Sequence, residues 1–140
     1  MSDQELENLV KIKKLKVEAC PRKEFDGYLK SGKNRLADAH NEDLSDDSRF
    51  DLAYSAAHAY AIAALRRKGY RSEDRYIVFQ ALPHTVGLDA AKMRVFSRAH
   101  NERNLAEYQG RTEVDQILLA ELLAASDQLE KIVAALDPPK

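Results

Sequence analysis

One cysteine, five glycines and four prolines in 140 residues leave this chain few staples and few breakers. The single thiol, Cys20, excludes an internal disulfide and, alone, a thiolate metal cluster, and it fits a reducing compartment. With Pro21 next to it and no histidine near in sequence, it reads as a buried structural thiol rather than a nucleophile. Charge of one sign is also missing: 22 basic side chains face 23 acidic ones. No global field attracts nucleic acid, so a polyanion site has to come from local clustering. No apolar run approaches the ~20 residues that span a bilayer, and Ser2-Asp3-Gln4-Glu5 is not the basic start of a secretion signal. A cytoplasmic protein with no membrane association is the expectation.

Chemical motifs are sparse as well. No phosphate-cradling glycine loop or Ser-His-Asp order is visible, so neither a metal nor an organic cofactor is expected. His40, His58, His84 and His100 lack the paired close spacing of a zinc site. Asp43, Asp46, Asp47 and Asp51 read as loop and helix-start charges rather than a calcium cage.

What is present is helical periodicity. A composition of 44% hydrophobic and 32% charged residues fits one domain, residues 1–140, able to bury a core unaided. Ser2-x-x-Glu5 has the form of a capping box, and Leu6, Leu9, Val10, Ile12 and Leu15 predict a helix to about Lys16 within an N-terminal segment 1–20. Pro21 opens a second helix to about His40, with Phe25, Tyr28, Leu29, Leu36 and Ala39 on one stripe weakened by Gly27 and Gly32. After a polar turn, Phe50, Ala53, Tyr54, Ala57, Tyr60, Ala61, Ala64 and Leu65 repeat at helical spacing up to Gly69. Ser72 is a plausible cap for a short helix that Pro83 and Gly87 end, and Asp89 for a longer one reaching Tyr108, with Gly110 as its stop. Thr112-x-x-Asp115 introduces a last helix to about Leu136, with Ile117 and Leu118 opening its apolar stripe, before a tail at 137–140. No strand is expected. The fold class is all-α, an up-and-down bundle of five or six helices.

On the helix ending at Tyr108, Phe96, His100, Arg103 and Glu107 fall within a narrow angular band, with Asn104 beside it, while Ala91, Val95, Ala99 and Ala106 lie on the other side. The small-residue side is expected to pack on a neighbour and the polar end to face a groove or partner. Taken alone, Arg103 and Glu107 form an i,i+4 ion pair worth a few tenths of a kcal/mol. Arg66, Arg67, Lys68, Arg71 and Arg75 cluster around the turn after the third helix and read mainly as a solvated basic face, with phosphate contact as the alternative. Lys11, Lys13, Lys14 and Lys16 read as another solvated face.

Arg103-Asn104-Leu105-Ala106-Glu107-Tyr108, just ahead of Gly110, resembles the Arg-x4-6-His signature of HEPN domains, small helical modules that include RNA-cleaving toxins and inactive relatives. Ala53-Tyr54-Ser55-Ala56-Ala57-His58-Ala59-Tyr60, with Ala63-Ala64-Leu65 and Gly69-Tyr70-Arg71, is similar to their long central helix and the turn after it. The resemblance spans roughly Phe50 to Tyr108 and is strongest with small bacterial members that pair with a minimal nucleotidyltransferase in toxin-antitoxin systems. It implies a HEPN-like fold, a homodimer whose two motifs meet, and an RNA or nucleotide ligand held by Arg103, Asn104, Glu107, Tyr108 and Arg71. Tyr108 stands where the family has histidine, and a phenol with a pKa near ~10 is a poor general base at neutral pH. A noncatalytic or regulatory member is therefore expected. The enzymatic alternative is a metal-independent endoribonuclease using Arg103 with His100, one helical turn away, or Tyr108. A purely structural interaction bundle is the third possibility.

Overall fold

The computed structural model describes residues 2–111 and 113–139. Its first helix, α1 (Ser2–Lys11), stops a turn short of the predicted end. Lys13 takes a left-handed backbone (φ 63°), and the amides of Lys14 and Leu15 both return to the Leu9 carbonyl, at 2.8 and 3.2 Å. That reversal puts Leu15 in the core at 2% exposure and leaves Ile12 in solvent at 63%. Residues 12–20 are thus not helical, and the side chain of Ser2, the expected cap, lies outside the described residues. A strand also appears where none was expected: β1 (Lys16–Val17) pairs antiparallel with β2 (Tyr70–Arg71).

The long helices are α2 (Arg22–Ala39), α3 (Asp46–Arg67), α6 (Ala90–Gln109) and α7 (Gln116–Ala134). Three of them start on a side chain that accepts backbone N–H groups otherwise without partners: Ser45 for α3, Asp89 for α6 and Asp115 for α7. Thr112, the other half of the predicted box, lies outside the described residues. Gly110 ends α6 in the left-handed conformation (φ 64°).

Between β2 and α6 run α4 (Arg75–Gln80) and the single turn α5 (Leu82–Thr85). Asp74, not Ser72, caps α4, accepting from the amides of Tyr76 and Ile77; Ser72 Oγ accepts from the Asp74 amide instead. Pro83 sits in the first turn of α5, where its missing N–H has no carbonyl to reach, and so starts a helix instead of ending one.

Cross-helix pairs fix the topology. Glu24–Arg66, Gly32–Tyr60 and Ala39–Arg49 run in opposite directions along α2 and α3, which are therefore antiparallel. Asp46–Gln116, Ala53–Ser126, Tyr60–Glu130 and Arg67–Asp137 run together, so α7 lies parallel to α3. α6 returns antiparallel to α7, with Arg98 reaching Glu121 at 3.3 Å. The result is an all-α bundle around α3, whose alanine-rich surface lets α2, α4, α6 and α7 all pack on it. Ile117, expected on the apolar stripe of α7, is exposed at 71%; the stripe begins at Leu118. No helix among the described residues is long and apolar enough to cross a membrane.

Candidate functional site

The stripe on α6 does turn from apolar to charged, with its apolar end buried and its polar end, Arg103 and Glu107, lining a cleft. Phe96 is fully buried and stacks on Phe79 of α4 with ring centroids 5.5 Å apart. Of the small-residue side, Ala99 is buried, Val95 and Ala106 are half-buried and Ala91 is exposed, so the packed face is centred between Phe96 and Ala99.

One turn beyond Phe96, His100 shares a 3.0 Å hydrogen bond through Nδ1 with Tyr54 Oη, and Asn104 Nδ2 lies 3.3 Å from its Nε2. With the Asn104 amide donating to Nε2, the ring proton sits on Nδ1 and Tyr54 Oη accepts it. Both imidazole nitrogens are engaged. Arg103 lies over the Tyr54 ring, its Cζ 5.2 Å from the centroid, and its Nη1 meets Glu107 at 3.3 Å. Its Nε is buried and has no hydrogen-bond partner. Tyr108 is 83% exposed; five residues on a helix place it about 140° round from Arg103. Within one chain, then, Arg103, His100, Asn104 and Glu107 come together and Tyr108 stands apart.

Tyr54 joins two sides of the site. Its ring is buried among Phe79, His100 and Arg103, and burial pushes its phenol above the ordinary range. His58, one turn along α3, packs on Phe79 at 5.7 Å. Burial first, then the positive Arg75 and Arg103, push its imidazole down to about 4, so it is neutral at physiological pH. Tyr76 of α4 has its ring 6.0 Å from His100 and is half exposed.

Arg71 belongs elsewhere. Its guanidinium is held by Glu18 (2.5 Å) and Glu24 (2.9 Å), in a network with Arg66. Arg66 sits twelve residues beyond Tyr54 on α3, or ~18 Å along the helix axis. It is 1% exposed, with its fork filled by Glu24, the carbonyls of Glu18, Ala19 and Tyr70, and Glu18 Oε2. Arg67 donates to the Asp137 carbonyl and Lys68 to Asp3. The expected solvated basic face is instead the ionic joint that ties α2, β1 and β2 to the end of α3, with Arg75 left out of it. Cys20 is buried, and burial raises its thiol pKa.

Two hollows border α3, and Tyr54 lines the second of them. One, about 390 Å³, lies where α3 begins and α6 ends; Arg103 and Arg111 share its wall with Asp47, Asp51, Glu102 and Glu107 over a floor that includes Phe50 and Leu118. The other, about 500 Å³, lies between α2, α3 and α4, with Tyr54, His58, Arg35 and Arg75 in its lining. Tyr54 and His58 escaped sequence reasoning as site residues because an alanine-rich helix reads as core on every side; their i,i+4 spacing was the available signal. Arg35 carried no such signal. No group of three or more His, Cys, Asp or Glu side chains among the described residues is placed to hold a metal ion.

Set against protein-family models, curated proteins and solved structures, the chain matches none.

Proposed function

We propose that the chain is a HEPN-like, noncatalytic binding module that engages a nucleotide or a short RNA segment through Arg103, and that it serves as the regulatory component of a toxin-antitoxin-type pair. The observation that carries this reading is Arg103 itself: a guanidinium over Tyr54, with a buried Nε lacking an acceptor and a single partly exposed ion pair to Glu107. A phosphate oxygen can replace Glu107 on the outer edge of the guanidinium, and displacing an exposed i,i+4 pair costs only a few tenths of a kcal/mol. Asn104 and His100 hold each other beside it. The carboxylates of Asp47, Asp51 and Glu102 on the same wall disfavour a long polyanion, which is why a short ligand is preferred over a duplex.

Catalysis by one chain finds less support. Tyr108 is remote in angle from Arg103, and both nitrogens of His100 are occupied. Exposed Tyr108 and Ile117 favour a homodimer or a nucleotidyltransferase partner covering the α6–α7 end.

The deciding experiment is fluorescence anisotropy with a labelled single-stranded RNA pool, in chelator, with mass followed by light scattering. Binding by the wild type and at least tenfold weaker binding by Arg103→Ala support the reading, whereas equal binding rejects it. Arg103-dependent cleavage of the pool would replace it with the ribonuclease alternative.

A further inference from the structure

The hollow between α2, α3 and α4 has a lining unlike that of the Arg103 cleft. Arg35 on the α2 wall and Arg75 on the α4 side have no carboxylate within ion-pair distance among the described residues; Arg35 Nη1 meets only the Ser31 hydroxyl, at 2.6 Å. The one carboxylate in the lining, Glu24, is already committed to Arg66 and Arg71. Two uncompensated guanidinium groups therefore border one cavity, together with the hydroxyls of Ser31 and Ser55 and the ring of Tyr28. Arginine forks match phosphate oxygens in pairs, and a phosphate monoester carrying ~1.5 to 2 negative charges balances two of them, which a single carboxylate does not. A volume of about 500 Å³ lies within the ~300–1,000 Å³ of small-molecule sites.

We propose that this cavity binds a small phosphate monoester of nucleotide size, its phosphate engaged by Arg35 and Arg75 and its polar remainder by Ser31, Ser55 and His58. The site is distinct from the Arg103 cleft, with which it shares no described lining residue, and independent of the RNA-binding reading. His58 suits the role because a neutral imidazole both donates and accepts. Gly27 also lines the cavity, and a side chain added there meets nothing within 4 Å on the protein, so it grows into the space the ligand needs.

Isothermal titration of the full chain with uridine 5′-monophosphate, ribose 5-phosphate, inorganic phosphate and uridine tests this. The two esters are expected to bind and uridine not to. Arg35→Gln and Arg75→Gln should each weaken the esters at least tenfold, and Gly27→Leu should abolish binding in a chain that melts no lower than the wild type. Arg35→Gln and Arg75→Gln should leave RNA binding at the Arg103 cleft unchanged, which separates this site from the RNA reading. Uridine binding as well as its monophosphate, unchanged affinity in Arg35→Gln, or inorganic phosphate matching the esters would each overturn the proposal. Equal loss of RNA binding in Arg35→Gln would show that the two sites are one and overturn the proposal of a separate site.

Discussion

Arg66, sealed at 1% exposure in the last turn of α3, donates from Nε to Glu24 Oε2 at 2.7 Å, joining α3 to the first turn of α2. The charge is tolerable there because every arm of the guanidinium has a partner. Replacing Glu24 by Gln keeps the shape and removes the counter-charge. Fully buried pairs broken on one side lose ~3–5 kcal/mol, and Glu24 retains 27% exposure, so a loss of about 2–3 kcal/mol is expected by urea denaturation.

The same pair sets a pH dependence. The hydrogen bond from Arg66 holds the Glu24 carboxyl below the usual carboxylate range. A group with a depressed folded pKa stabilises fully above its unfolded value, ~4.3, and loses that contribution as pH falls toward the folded one. Wild-type stability should therefore drop below about pH 4.5, and the Glu24→Gln curve should be flatter there. Parallel curves would show that the carboxylate gains nothing from Arg66.

Two glycines in α2 make opposite predictions. A Cβ at Gly32 would stand 2.7 Å from the ring of Tyr60, and that ring is buried and pinned by its hydroxyl donating to Glu130 at 2.5 Å. It has nowhere to go, so Gly32→Ala should cost ~1–3 kcal/mol through overpacking despite the better helix former. Gly27, with open space around it, should gain ~0.5–1 kcal/mol on the same change. Thermal melts of the two variants moving in the same direction would reject the packing assignment.

These contrasts show what a sequence yields. Elements framed by a side-chain cap and a stop were legible: Asp89 to Gly110 bounds α6, and periodicity bounds α2, α3 and α7 to within a few residues. Features decided by distant partners were not. Lys13 does glycine's work because Leu15 has to reach the core. Arg66 looks like any cation in a last turn until Glu18 and Glu24 arrive from 40-odd residues away. Gly32 reads as a weak point in a helix and is a contact. Likewise the polar stripe on α6 was visible, but not that it faces Tyr54, since that depends on how α4 and α6 close over α3.

If Glu107 competes with ligand for Arg103, removing its charge should help binding. Glu107 is largely exposed, so Glu107→Gln should leave the melting temperature within experimental scatter. RNA affinity should rise by roughly two- to fivefold, as expected for release of a pair worth a few tenths to 1 kcal/mol. A fall in affinity would instead give Glu107 a positioning role for the arginine. Anisotropy titrations of Glu107→Gln beside Arg103→Ala decide between the two.

His58 supplies a direct readout of the field between α3, α4 and α6. In the unfolded chain its imidazole titrates near ~6.5, and in the fold it is pushed down to about 4 by burial and by Arg75 and Arg103. The neutral ring is the one the fold accepts. Its contribution to stability is complete above about pH 6.5 and is lost as pH falls from there toward about 4, a higher window than that of Glu24. NMR titration should find one histidine with a midpoint near 4, absent in His58→Phe, whose stability should change less between pH 6.5 and 4. Arg75→Gln should raise that midpoint only part of the way, because burial is the larger cause. A His58 midpoint near ~6.5 in the wild type would mean that water reaches the ring, rejecting the burial assigned to it.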